Sequence, residues 1–223
     1  MRSYVRTGYL FGTVLSILLL YFLFLPETHS LRAPGDFNTG HEDMPCMECH
    51  EEAPGSARQQ IQANLQYLFG SRNDYVTFNF HTPDNKDCLA CHERENDTHN
   101  VYRFNEPRFL EVRKSIQPQR CVSCHSEHHG VRITADIDYC RHCHEETEIK
   151  NDPIEVPHTM LVKAKAWDTC LGCHDFHGNH EMEVPMNMNR LINVEALYTY
   201  FKGGPDPYSE KKFVDAKKVR HED

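Results

Sequence analysis

The sequence predicts a mainly α-helical chain with extensive loops, few or no strands, and one N-terminal transmembrane helix ahead of a compact domain. Three observations carry this. An unbroken apolar run opens the chain, from Gly8 to Leu25. After it, apolar residues recur with helical periodicity only in short stretches bounded by Pro or Gly, and no alternating strand ladder is visible. Finally, all ten cysteines fall in one repeated local pattern spread through a stretch otherwise poor in core-forming residues.

The apolar run has the length of a membrane span, which needs about 18 or more such residues. Arg2 and Arg6 precede it, and Pro26, Glu27 and His29 come after it. A cleaved signal peptide has a shorter apolar core and a small-residue cleavage site, for which only Thr28-His29-Ser30 offers a poor match. The expected reading is an anchor, with a signal peptide as the alternative. Residues 1–7 form a basic flank that stays inside and residues 8–26 the span. The remainder of the chain is exported. This places the chain in the cytoplasmic membrane as a single-pass protein with its domain in the periplasm or exterior. Residues 27–40, rich in Pro, Gly, Asn and Asp, read as a linker.

The domain proper, residues 41–180, is organised by its cysteines. They occur as Cys46-Met-Glu-Cys49-His50, Cys88-Leu-Ala-Cys91-His92, Cys121-Val-Ser-Cys124-His125, Cys140-Arg-His-Cys143-His144 and Cys170-Leu-Gly-Cys173-His174, with none left over. C-x-x-C-H is the signature of c-type haem attachment. The two thiols add to the two vinyl groups of one haem, and the adjoining histidine becomes the proximal iron ligand. A structural zinc site needs paired C-x-x-C units or a distant histidine pair, and no histidine after each second cysteine. Five redox disulfides without a βαβ pattern fit less well still. The expected cofactor is five covalently bound haem c groups. The motif starts lie 42, 33, 19 and 30 residues apart, too irregular for a solenoid.

Between motifs, Ser56 to Leu68 has a helical pattern with Ile61, Leu65 and Leu68 on one face. Pro107 to Ile116 and Pro157 to Trp167 each begin with Pro at a helix start. Each is expected to pack on a haem face. Five porphyrins would supply the apolar bulk that about 200 residues otherwise need from their own side chains. The tail, residues 181–223, holds one more helix, Leu191 to Phe201, broken by Gly203-Gly204-Pro205. It reads as a strap across the domain or a docking arm.

Five of the 16 histidines complete the motifs as proximal ligands: His50, His92, His125, His144 and His174. His29 and His221 lie far from any motif. The rest are a surplus that bis-histidine ligation would absorb. His41, His81 and His158 stand 5, 7 and 12 residues before a motif. His128 and His129 come after the third motif, and His177 and His180 after the fifth. The distal candidates are therefore His41, His81, His128 or His129, His158, and His177 or His180, with His99 and His142 in reserve. Methionine is the competing ligand and would raise a haem's potential. Met44 and Met160 are its candidates, Met47 reads as packing, and Met182, Met186 and Met188 lie in the tail.

These motifs, and CHSEHHG with its histidine pair, resemble the multihaem c-type cytochromes, in particular the small tetrahaem class III cytochromes and their pentahaem relatives. The resemblance covers residues 41–180. It implies a compact, loop-rich multihaem cytochrome c domain with haems close enough for rapid electron exchange. An anchor joined to such a domain also resembles the membrane quinol dehydrogenases of nitrate and nitrite respiration. In those, a methionine near the first motif helps ligate the first haem; here CHEEAPG has none.

The function expected is electron transfer between a membrane or quinone-linked donor and a periplasmic redox partner or complex, without catalysis. Two alternatives are a haem-stacking subunit of an extracellular filament and a multihaem nitrogen-oxide reductase. The reductase class often replaces a motif histidine with lysine, and all five here are histidine. The net charge of −9 argues against nucleic acid as a partner. Expected partners are redox proteins or a larger membrane complex, with quinol as a further possibility.

Overall fold

A computed structural model describes residues 2–23, 25, 35–78 and 80–217. The chain is mainly helical with almost no strand. Among the described residues, extended pairing is limited to two isolated bridges, Glu52 with Phe80 and His180 with Lys212.

The first helix, α1, spans Arg2–Leu23. Its 22 residues, at 1.5 Å rise each, reach about 33 Å, against about 30 Å of bilayer hydrocarbon. Its stretch Tyr4–Phe22 buries nothing against the rest of the chain. The helix is long and apolar enough to cross a membrane, a length and composition that a signal sequence can share. His29 and the Thr28–Ser30 cleavage candidate lie outside the described residues, as does His221.

Helix α2, Ala57–Leu68, starts where the sequence places it. Ser56 caps it and Gln59 closes a capping box, which satisfies two of the free N–H groups at the helix start. Gln60 is buried and donates to the carbonyls of Ala53 and Gly55. Ile61, Leu65 and Leu68 do not turn inward with it and remain 50%, 48% and 74% exposed. The apolar stripe thus faces away from the chain's own packing, because the Gln60 and Asn64 side chains tie the adjoining face to neighbouring backbone.

The two Pro-initiated segments are shorter than expected. Pro107–Phe109 is a 3-10 turn leading into α4, Leu110–Ile116. Helix α6 is His158–Lys163, and Trp167–Thr169 is a separate 3-10 turn.

Three helices coincide with the cysteine motifs themselves: α3 (Asn85–His92), α5 (Arg141–His144) and α7 (Cys170–Cys173). The remaining two motifs take 3-10 turns, Cys46–Glu48 and Cys121–Ser123. For α3 the start is written in the sequence as Asp84 and Asp87, which form a second capping box.

Helix α8, Val194–Phe201, is capped by Asn193. It supplies Leu197, the one fully buried large side chain among the described residues, and Phe201 to an apolar cluster with Ile137 and Leu171. The end of the tail lies along the domain: Glu181 N–H donates to Lys211 O, Phe213 N–H to Asn179 O, and Lys217 N–H to Cys91 O. The last residues of the expected linker are also packed. Asn38 is buried and bonds Glu127, Ser126 and His129.

Candidate functional site

Each motif closes one helical turn. The histidine N–H donates to the carbonyl of the first cysteine at 2.9–3.0 Å in His50, His125, His144 and His174, and α3 carries the fifth turn. At helical pitch, positions i, i+3 and i+4 share one face. This is why C-x-x-C-H works as a unit: both sulfurs and the imidazole project from the same side.

Opposite each motif histidine stands a second histidine. Ring centres are 6.2 Å apart for His50 and His128, 6.0 Å for His92 and His41, and 6.1 Å for His125 and His177. They are 6.3 Å apart for His144 and His99, and 6.2 Å for His174 and His158. No histidine is used twice. We number these sites 1 to 5 in motif order. Two metal–imidazole bonds of about 2 Å, plus roughly 1 Å from each ligating nitrogen to its ring centre, put two ring centres about 6 Å apart across one metal. The five spacings match that value, so the residues present fit a six-coordinate iron at every motif.

The hydrogen bonds of the five partner rings point the same way. His41 Nδ1–H donates to Glu127 at 3.1 Å, His177 to Asp97 at 3.1 Å and His158 to Asp152 at 2.9 Å. His128 Nδ1–H donates to Gly35 O at 3.3 Å and His99 Nδ1–H to Phe176 O. A carboxylate or carbonyl only accepts, so Nδ1 carries the proton and Nε2 is left bare, with a lone pair that could ligate a metal. His125 of site 3 is held likewise, donating to Arg132 O at 2.9 Å. Burial holds His92, His99, His125 and His174 below the ordinary histidine range, which keeps them in the neutral form that binds metal. His41 is raised, chiefly by its bond to Glu127, against the opposing effect of burial.

Three sequence candidates stand elsewhere, and one reserve moves in. His180 uses both ring nitrogens, Nδ1 on Asp175 at 2.8 Å and Nε2 on Asp206 at 3.0 Å, and stacks on Tyr208. It pins the tail to the domain and has no nitrogen to spare. His81 faces no motif histidine among the described residues; its Nε2 sits 3.3 Å from Asp87, in a group with Asp84. His129 makes no ring contact with a described motif histidine, and its backbone N–H bonds Asn38. His128, not His129, reaches site 1 because its backbone is left-handed, φ 66°. Gly35 is packed so closely there that a Cβ would collide with His128 O. His99, held in reserve on sequence, faces His144. The signal that could have found it is Asp97 two residues before, the acceptor for His177. His142 packs on Tyr139, and Met160 is exposed.

The sites succeed one another in chain order. Lys86 pairs with Glu51 at 3.2 Å between motifs 1 and 2, and Glu127, which holds His41 of site 2, adjoins His128 of site 1. Sites 2 and 3 meet at a contact between the thiols of Cys88 and Cys121, and Asn85 bridges them by bonding Gln119 O and Cys121 N–H. Between sites 3 and 4, Phe176 stacks on His99 at 4.1 Å and lies edge-on to His177 at 5.0 Å. Cys140 and Cys170 join sites 4 and 5. An open groove beside site 5 is lined by Gly172, Met182, Pro185, Met186, Ile192 and Tyr208.

Comparison with known proteins finds no match among protein-family models, curated proteins or solved structures.

Proposed function

We propose that this protein is a pentahaem c-type cytochrome that transfers electrons, anchored by α1 in the cytoplasmic membrane with its domain on the outer side. The observation that carries this is the pairing of all five motif histidines with five different histidines at 6.0–6.3 Å. Haem bound at these sites supplies a one-electron iron couple. The paired imidazoles close both axial positions, which suits electron exchange and disfavours substrate binding. The contacts between consecutive sites favour a relay along the chain, from site 1, beside the segment after the anchor, to site 5.

The donor is proposed to be membrane or quinone-linked and the acceptor a periplasmic redox protein or complex. All five partner imidazoles come from this one chain. That favours a self-contained relay over a filament built by donating histidine between subunits, and over a reductase that needs an open iron.

The test is the protein isolated from membranes. Its denatured mass should equal the full chain from Met1 plus five haems, and its oxidised spectrum should be low-spin throughout. A mass starting near Leu31 would remove the anchor and with it the quinone-linked donor. Predominantly five-coordinate, high-spin iron would overturn the electron-transfer reading.

A further inference from the structure

The five partner histidines divide into two chemical classes. At sites 2, 3 and 5 the Nδ1–H bonds a carboxylate: Glu127, Asp97 and Asp152. At sites 1 and 4 it bonds a backbone carbonyl, Gly35 O and Phe176 O. Carbonyl and carboxylate both orient the ring, but they do not act equally on its electrons. A carboxylate draws the Nδ1 proton more strongly, so Nε2 becomes a better donor toward the metal. Stronger donation, with a negative charge nearby, stabilises the ferric over the ferrous state. Axial-ligand electronics and outer hydrogen bonds are two of the means by which proteins set haem potential.

We infer that Glu127, Asp97 and Asp152 are positioning residues that hold sites 2, 3 and 5 at lower potential than sites 1 and 4. This rests on the haem reading above. The order along the relay is then high, low, low, high, low. Electrons reside preferentially at sites 1 and 4 in the partly reduced protein, and sites 2 and 3 form a step between them.

The surroundings grade the three carboxylates. Glu127 also accepts from Asn38 N–H at 2.7 Å. Asp152 accepts from His158 N–H at 2.6 Å as well as from its ring. Asp97 differs in having a cation beside it: Arg94 lies 3.4 Å away, and both side chains are only 15% exposed. A guanidinium that near offsets part of the carboxylate's charge. The effect at site 3 is therefore the smallest of the three, and removing Arg94 strengthens it.

The experiment is a spectroelectrochemical titration of the full-length five-haem protein, with individual haems resolved by NMR of their methyl groups. Variants are E127Q, D152N, D97N and R94Q, and each Gln or Asn put in place of a carboxylate retains an oxygen that can accept from Nδ1–H. In E127Q the midpoint of site 2 should rise while all five irons stay low-spin. In D152N site 5 should rise, and in D97N site 3 should rise by less. R94Q should move site 3 in the opposite direction, and E127D should restore site 2. Unchanged midpoints with low-spin iron retained would overturn the inference, as would an equal shift at all five haems. Loss of the low-spin signal in E127Q would do the same, by showing that the carboxylate only holds the ring. A wild-type protein without five low-spin haems would instead overturn the underlying haem reading.

Discussion

Site 5 and sites 1 to 4 have the same histidine pairing but are assembled differently. His158 and His174 come from one short stretch, α6 to α7, and Asp152, which orients His158, lies just ahead of it. The other four are interleaved. Site 1 takes its partner from beyond motif 3, site 2 from before motif 1, site 3 from beyond motif 5 and site 4 from beyond motif 2. A local site closes a small loop at low entropic cost, whereas an interleaved site forms only when distant segments are already in place. The interleaved sites thus tie the domain together, whereas both histidines of site 5 come from one local segment.

On the proposed five-haem reading, that contrast is tested most severely by withholding haem. The apolar cluster around Leu197 is small for a domain of this size, so the haem-free chain should show no cooperative thermal transition, and circular dichroism would detect its loss of native helix outside α1. A sharp melt in the haem-free protein would mean the side chains alone suffice.

Next in size is a matched pair of substitutions. His177→Ala should convert site 3 to high-spin and leave Asp97 without its ring partner, costing about 1–3 kcal/mol beyond the lost iron bond. His158→Ala should open site 5 and leave the spectra of sites 1 to 4 unchanged. Paramagnetic resonance on both variants, with denaturant melts, separates the two kinds of site. Equal damage from both would dissolve the distinction.

Leu197→Ala should cost about 2–5 kcal/mol, since the side chain is fully buried. Its effect should be felt at sites 3 and 5. Leu171 lies between the cysteines of motif 5, and Arg132, which accepts from His125, donates to Tyr200 O at the end of α8. The smallest effect belongs to Ser56→Ala, which removes the cap of α2 for about 1 kcal/mol. No partner histidine lies on α2, so all five haem spectra should be unchanged.

Legibility from sequence divides along the same line. Helices α2, α4 and α6 are visible from Pro, Ser and apolar spacing because those signals are local. Helices α5 and α7 are not, because their sequences are the cysteine motifs and carry no apolar stripe, and α3 is marked only by its capping box at Asp84 and Asp87. Of the five histidines that face a motif histidine, His41, His128, His158 and His177 are among the sequence candidates. His81 and His180 look equivalent on spacing and differ only in what surrounds them: His180 is held by two carboxylates that arrive from Asp175 and from the tail residue Asp206.

The sequence by itself determined the repeated C-x-x-C-H unit and the apolar N-terminal helix, because both depend on residues within one or two turns of each other. The pairing of each motif histidine with its partner, the choice of His99 over His81, and the division into carboxylate-held and carbonyl-held rings were decided only by the tertiary structure. A histidine's role there depends on which acceptor reaches its Nδ1 and which ring faces its Nε2. Both arrive from distant segments whose approach no local spacing encodes.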